Sequence, residues 1–466
     1  MTQSERFEAD ASPTAHLAKD LRQRHVTMIS IGGIIGAGLF VGSSAGIASI
    51  GPAVVASYLI SGVVVLLVLR ALSEMAAARP EVGALTEFAR LGLGNWAGFL
   101  SGWLYWYFWV AVVAVEALAG AKIVHGWLPI APVWLIALGL LAAMMTTNLM
   151  SAKYYGEFEF WFASIKVAAI IAFILITAGW IFGHPPATGG RFDNLTTHGG
   201  FAPFGPLSVL SGVTSVVFAL AGAEIITIAA AESSEPGPAL ARLTGQVVLR
   251  VLLFYVVSIF LIVTIIPWTS IHPGDSPFAL TLKRIGVPFG EPIMNLIVLT
   301  AVLSVLNSGL YVSSRVLFVL SARGDAPKAL VALNKRKVPA RAILTAALFA
   351  IVSAAPSVLG ADQVFKFLVD ESGAVMLIVY GLATWAQIPV RLQFEAEGVA
   401  MPIRMWFYPW ASGATVAAIC AIFVAMGFIP SLRPQLYFCG LLTGIVLAFY
   451  FAVRVRMAPA TAAVLP

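Results

Sequence analysis

Apolar runs long enough to cross a bilayer recur along the whole chain. They lie at 26–49, 52–74, 96–121, 131–149, 156–182, 206–231, 243–268, 289–320, 341–359, 364–388, 406–429 and 434–453. A helix needs about 20 predominantly apolar residues to span the hydrocarbon core. Lipid offers the backbone no hydrogen-bonding partner, so runs of this length predict helices rather than barrel strands. The chain is 60% hydrophobic and 11% charged over 466 residues, more apolar surface than a soluble domain could hide. The expectation is an all-α polytopic membrane protein with twelve transmembrane helices, called spans 1 to 12 below. Short connections carry breakers such as "IGP" at 50–52, "GHPP" at 183–186 and "EPGP" at 235–238.

Charge placement predicts the orientation. With the N-terminus inside, 18 of the 28 Lys and Arg residues fall in inner loops and tails and six in outer loops. That asymmetry is the positive-inside pattern and puts both termini in the cytosol. The net charge of +6 is therefore a topology signal, and nucleic acid is not an expected partner. Residues 1–25 are polar, lack the features of a secretory signal and read as a cytosolic tail. Cys420 and Cys439 sit in late apolar runs without CxxC spacing and read as small core residues. The six histidines form no HExxH pattern and no P-loop motif appears, so neither metal chemistry nor ATP hydrolysis is expected.

Span 1 contains a contradiction. "ISIGGIIGAGLFVGSS", residues 29–44, is apolar enough for lipid, yet five of its sixteen residues are glycine. Each glycine inside a helix costs about 1 kcal/mol relative to alanine. Span 6 holds a second interruption, "SVVFALAGAEIITIAAAE" at 215–232, with Glu224 between apolar turns. Five helices separate the two, so spans 1 and 6 run in opposite directions. Broken helices at matching places in oppositely oriented halves point to an inverted-repeat transporter. The predicted organisation is a tail at 1–25, a five-helix repeat at 26–182, an inverted repeat at 206–388, spans 11 and 12 over 406–453, and a cytosolic tail at 454–466. At 1.5 Å per residue, Gly36, the stretch Phe218–Ala221 and Lys166 in span 5 all lie about 15 Å deep. Close helix packing through small residues remains the other explanation of "GIIGAG".

"GGIIGAGLFVG" in span 1, "ALSEMAAARPEVGALTEFAR" after span 2, "YYGEFEFWFASIKVAAIIAF" in span 5 and "SARGDAPKAL" after span 8 resemble the amino-acid transporter family of the amino acid–polyamine–organocation superfamily. "RHVTMISIGGIIGAGLFVGSS", "GWLYWYFWV", "GAEIITIAAAES", "VFKFLVDESGA" and "RMWFYPW" bring the chain nearest to its bacterial γ-aminobutyrate (GABA) permease branch. The resemblance runs from span 1 to span 11. It implies a leucine-transporter-like fold with a 5+5 inverted repeat. It also implies proton-coupled uptake of an amino acid across the bacterial cytoplasmic (inner) membrane by alternating access. GABA is favoured as substrate; proline, alanine and phenylalanine are alternatives. The proton motive force would drive uptake, with no bound cofactor or metal, and the partners would be the amino acid, a proton and membrane lipid.

A zwitterion is costly in hydrocarbon, and an unwound helix offers partners to both of its ends. Backbone N–H groups of Ile34, Gly36, Ala37 and Gly38 are the candidates for the substrate carboxylate. By the resemblance, carbonyls of Phe218, Ala219 and Ala221 face the amine, and the Phe218 ring serves as a lid. Lys166 is the candidate coupling residue, since a buried ammonium loses solvation and becomes able to release its proton. Family members place a lysine here where sodium-driven relatives bind a cation, and the span 8 side would lie near Ser304, Asn307 and Ser308. Glu224 is read either as a proton relay or as a brace for the span 6 break, and Glu116 in span 3 as a pocket or outer-gate residue. A snorkelling Lys166 and an interfacial Glu116 are the structural alternatives. A membrane-embedded transferase would need clustered His, Asp or Cys near one interface, and a channel would not need paired breaks.

Overall fold

The computed structural model describes residues 34–82, 85–150, 152–184, 190–225, 252–334, 336 and 338–457. The N-terminal tail, residues 458–466 of the C-terminal tail, the start of span 1, the end of span 6 and the start of span 7 lie outside these, and α15 runs on into the predicted C-terminal tail as far as Met457. Among the described residues every regular element is a helix. In chain order they are α1 (Ala37–Phe40), α2 (Ser43–Ile50), α3 (Val54–Ala78), α4 (Leu85–Leu93), α5 (Asn95–Trp127), α6 (Val133–Met150), α7 (Ala152–Gly183), α8 (Ser208–Leu220), α9 (Leu252–Ile265), α10 (Pro277–Arg284), α11 (Gly290–Ala322), α12 (Ala340–Ala354), α13 (Ala361–Ala396), α14 (Trp410–Phe428) and α15 (Arg433–Met457). Nine stretches of the described residues are long and apolar enough to cross a membrane, with α1 to α3 counted as one. The chain is an all-α, multi-pass membrane protein.

The helices sort by burial. The most apolar window of α5 is 78% buried and that of α13 is 72%, against 11% for α6. The first two therefore form the interior and α6 the rim. Rim helices turn apolar side chains outward, among them Leu441, Ile445 and Phe449 of α15, as a lipid solvent requires. Close approach inside depends on missing side chains. At Gly373 of α13 a Cβ would run into the Thr214 carbonyl of α8, so only glycine lets these two helices touch there.

The hydrophobic runs understate several helices. α13 continues through Pro389 to Ala396, beyond the apolar run that ends at 388. The segment after span 2, expected as loop, contains α4. Its Leu85, Phe88 and Ala89 recur at helical spacing and are buried, while Glu87 and Arg90 take polar partners. Nine residues are too few to register as a span, which is why run length missed it.

Two polar clusters lie at helix ends on the side expected to be cytosolic. Glu74 of α3, 1% exposed, accepts hydrogen bonds from Gln387 Nε2 (2.5 Å), Arg391 Nη1 (3.2 Å) and the Met405 N–H (2.5 Å). One carboxylate thus ties α3 to α13 and to the segment before α14. In the second cluster Arg90 Nη2 meets Asp325 Oδ2 at 2.5 Å, and Arg323 meets Glu87 at 3.2 Å. Burial pushes the Asp325 carboxyl above its usual range, and the Arg90 charge draws it back down. Removing Arg90 leaves two carboxylates short of a partner. Arg90→Ala is expected to lower stability by roughly 1.5–3 kcal/mol, the range for hydrogen bonds to charged groups. The check is a lower thermal unfolding midpoint of the detergent-purified protein; an unchanged midpoint would show that the cluster is solvated rather than structural.

Candidate functional site

Each chain break has a local cause. Ile34 is helical, Ile35 and Gly36 are bent, and Gly36 is extended (φ −135°, ψ −156°) before the single turn of α1. α8 stops at Leu220, where Ala221 turns extended (ψ 153°) and Gly222 takes φ +100°, a conformation that favours glycine. Glu224 then folds back on this break. Its carboxylate accepts from the Gly222 N–H (2.9 Å), from the Tyr380 hydroxyl of α13 (2.8 Å) and from the Tyr105 hydroxyl of α5 (3.1 Å). These contacts tie a buried acid to the unwound turn and to α5 and α13.

The two breaks meet. A Cβ on Gly38 would lie 2.6 Å from the Ala219 Cα, so the backbones are in direct contact. The hydroxyl of Tyr255, on α9, sits between them, 2.8 Å from the Ile34 carbonyl oxygen and 3.0 Å from that of Ala219. Glu116 of α5, 1% exposed, also reaches the first break. The Ala37 N–H donates to its carboxylate at 3.1 Å and 3.2 Å.

Around this junction lies a small cavity lined by Ile34, Gly36 and Gly38 of the first break and by Phe218, Ala219 and Ala221 of the second. Glu116, Phe108, Trp109 and Val112 of α5 and Val305 of α11 complete the wall. The structure thus gathers into one cavity seven of the residues proposed for substrate, and the eighth, Ala37, offers its N–H beside it. The sequence does not single out Val112 or Val305, whereas Phe108 and Trp109 belong to the aromatic run at 103–109, which reads mostly as packing with room for one ring in the cavity wall. A signal existed: 105, 108, 109, 112 and 116 recur at helical spacing, so one face of span 3 follows once Glu116 is placed in the wall. Phe218 is buried, with its ring edge-on to Phe108 at 6.4 Å between centroids.

Lys166 of α7 faces α11. It is fully buried, and its Nζ donates to Ser304 Oγ on α11 at 2.9 Å, which leaves no reach to an interface. Ser308 is buried one turn further along α11. Asn307 points elsewhere: its Oδ1 accepts from Asn148 Nδ2 (2.6 Å) and Thr147 Oγ1 (3.0 Å) of α6. Asn307 thus binds α6 rather than Lys166, although residues three apart share a helix face. Lys166 and Glu116 lie within electrostatic reach of each other.

The arrangement has the parts of a binding site: backbone donors and acceptors exposed by paired breaks, a carboxylate, apolar walls and a buried ammonium behind them. Residues 25–461 match the family model described as amino acid permease. The chain is 45% identical over 452 residues to a gamma-aminobutyric acid permease of Bacillus subtilis, covering 97% of this chain and 96% of that protein. It is 42% identical to a gamma-aminobutyric acid permease of Escherichia coli, over 93% of both chains. It is 36% identical to an aromatic amino acid transport protein of Corynebacterium glutamicum, over 93% of this chain and 95% of the other. Matches of this extent are to transporters and not to enzymes, and with the paired breaks at a buried cavity they show that the chain belongs to the amino acid permease family.

Proposed function

We propose that this permease takes up GABA across the bacterial inner membrane, coupled to protons and working by alternating access. The observation that carries this is the meeting of two broken helices at one buried cavity, in a chain 45% identical to a protein named for GABA transport. The proposed architecture is twelve spans, with 26–182 and 206–388 as inverted five-helix repeats, 406–453 appended and both termini cytosolic. Spans 1 and 6 break at matching places, as such repeats require.

In the substrate complex, backbone N–H groups over Gly36–Gly38 receive the carboxylate, and carbonyls over Phe218–Ala221 receive the amine. Glu116 now occupies the Ala37 N–H. Two carboxylates on one donor repel, so substrate entry requires Glu116 to take up a proton or move aside. Lys166, bonded to Ser304 on α11, is the group that accepts or releases the coupled proton, with no bound cofactor. Substrate and proton are then linked because each changes the charge the other meets.

The rings of Phe108, Trp109 and Phe218 at the cavity favour a second reading, transport of an aromatic amino acid. Uptake of labelled GABA into vesicles is expected to be concentrative and abolished by a protonophore. Unlabelled GABA should compete better than phenylalanine, proline or alanine. Stronger competition by phenylalanine would replace GABA with the aromatic reading, and accumulation indifferent to the protonophore would remove proton coupling.

A further inference from the structure

The segment "RMWFYPW", residues 404–410, lies between α13 and α14 and takes no part in the cavity. Its last residue, Trp410, begins α14, one of the stretches able to cross a membrane, so the segment sits where that helix enters the bilayer. Its rings are turned out of the protein: Trp406 is exposed, Phe407 is 87% exposed and Trp410 81%. Phe407 takes φ +48°, a conformation uncommon for a bulky residue, so the backbone accepts strain while the ring stands outward. Large rings are costly in water, whereas amphipathic indoles at a helix end suit the lipid headgroup region.

Two arginines stand beside these rings. Arg404 is exposed and Arg70 of α3 is half-buried. Arg70 Nε donates to the Arg404 carbonyl oxygen at 2.9 Å, and its guanidinium carbon lies 4.9 Å from the centre of the Trp406 ring. That bond uses one of the guanidinium's five N–H donors and holds the fork in place. The neighbouring acids serve other groups. Glu74, one turn along α3, accepts from Gln387, Arg391 and the Met405 N–H, Glu397 meets Arg79, and Glu395 meets Arg391. A phosphate suits the planar fork of arginine better than any other membrane group.

We propose that Arg70, Arg404, Trp406, Phe407 and Trp410 form a binding surface for one anionic phospholipid. The arginines take the headgroup phosphate, and the rings lie along the glycerol and the upper acyl chains. A zwitterionic lipid brings the same phosphate but sets a cation beside the two guanidinium groups, so the anionic lipid binds more tightly. Arg70 belongs to α3 and Arg404 to the segment before α14, so the lipid fastens these two elements together at the membrane surface. The surface is separate from the cavity, and its occupant does not depend on which amino acid is carried.

The test counts lipids held by the purified full-length protein in detergent by native mass spectrometry. Phosphatidylglycerol and phosphatidylcholine of the same acyl chains are titrated in turn. The wild type is expected to hold one more phosphatidylglycerol than phosphatidylcholine at low lipid. Arg404→Gln keeps the backbone carbonyl that Arg70 bonds, and should weaken that lipid about fivefold, as should Arg70→Gln. The double variant should lose it and keep its phosphatidylcholine count, while Trp410→Ser should weaken both lipids alike. The count is read rather than stability, so a less stable variant still reports. Equal phosphatidylglycerol counts in wild type and double variant, or equal counts of the two lipids in the wild type, overturn the proposal. A shift from dimer to monomer in the double variant with its lipid counts unchanged overturns it too, and assigns the surface to a second copy of the chain.

Discussion

Gly36→Val is expected to weaken substrate binding about ten- to a hundredfold while leaving the protein in the membrane. The backbone is not the obstacle: Gly36 is extended, a conformation that valine adopts freely. Space is the obstacle. A Cβ there would lie 2.7 Å from Val305 Cγ2 and 2.9 Å from Glu116 Oε1, both parts of the cavity wall. Overpacking costs roughly 1–3 kcal/mol, and 1.4 kcal/mol is tenfold in affinity, so a rise in Kd of about ten- to a hundredfold is expected. Gly38→Ala is the sharper companion. Its added methyl meets the Ala219 Cα at 2.6 Å, backbone against backbone, and no rotamer change relieves that. A single methyl should therefore push the two breaks apart and disable transport as fully as valine does at 36. Equilibrium binding of labelled substrate to purified protein measures both. Wild-type affinity in both variants would return the glycines to a packing role.

Lys166→Ala is expected to remove concentrative, pH-dependent uptake and to spare exchange of substrate across the membrane. The lysine is fully buried and its Nζ contacts Ser304 of α11, so it is placed to report the state of that contact through its charge. On the proposed coupling, the lysine links substrate entry to proton movement; with alanine that group is gone and only the substrate gradient would remain. Uptake into vesicles with an imposed pH gradient, alongside counterflow without one, separates the two. Gradient-driven accumulation at the wild-type level in Lys166→Ala would sink the coupling role. A loss of both activities would assign the lysine to folding, and the amount of monodisperse protein recovered distinguishes that outcome.

Much of the architecture was legible because membrane folding is governed by local rules. A run of about 20 apolar residues must be a helix, since nothing else satisfies its backbone in lipid. Glycines costly to a helix mark where one stops, and both breaks stand where "GGIIGAGLF" and "FALAGAE" lie. The helix ends were less legible. α13 runs past its apolar stretch through turns that carry Arg391, Gln393 and Glu395, which a count of apolar residues leaves out, and α4 is amphipathic and short.

The candidate site divides along the same line. Residues whose peculiarity is their own, such as glycines in a span, a midplane lysine or a lone acid, can be read from their chemistry alone. Tyr255 and Val305 are unremarkable side chains in apolar helices, and nothing local distinguishes them from packing. Glu224 shows the same limit from the other side. Its oddity was plain, but whether it relays a proton or braces a turn depends on Tyr105 and Tyr380, 119 and 156 residues away.

By itself the sequence determined that this chain is a bundle of membrane helices, two of them interrupted, with a lysine and several acids where lipid would exclude them. Helix formation in lipid and the cost of glycine are properties of a segment, and each is written within some twenty residues. Only the tertiary structure decided that the interruptions touch, that Glu116 rests on the Ala37 N–H, that Asn307 turns to α6 and that one tyrosine hydroxyl spans both breaks. Those facts depend on which faces of distant helices meet, and that is set by packing across the whole bundle.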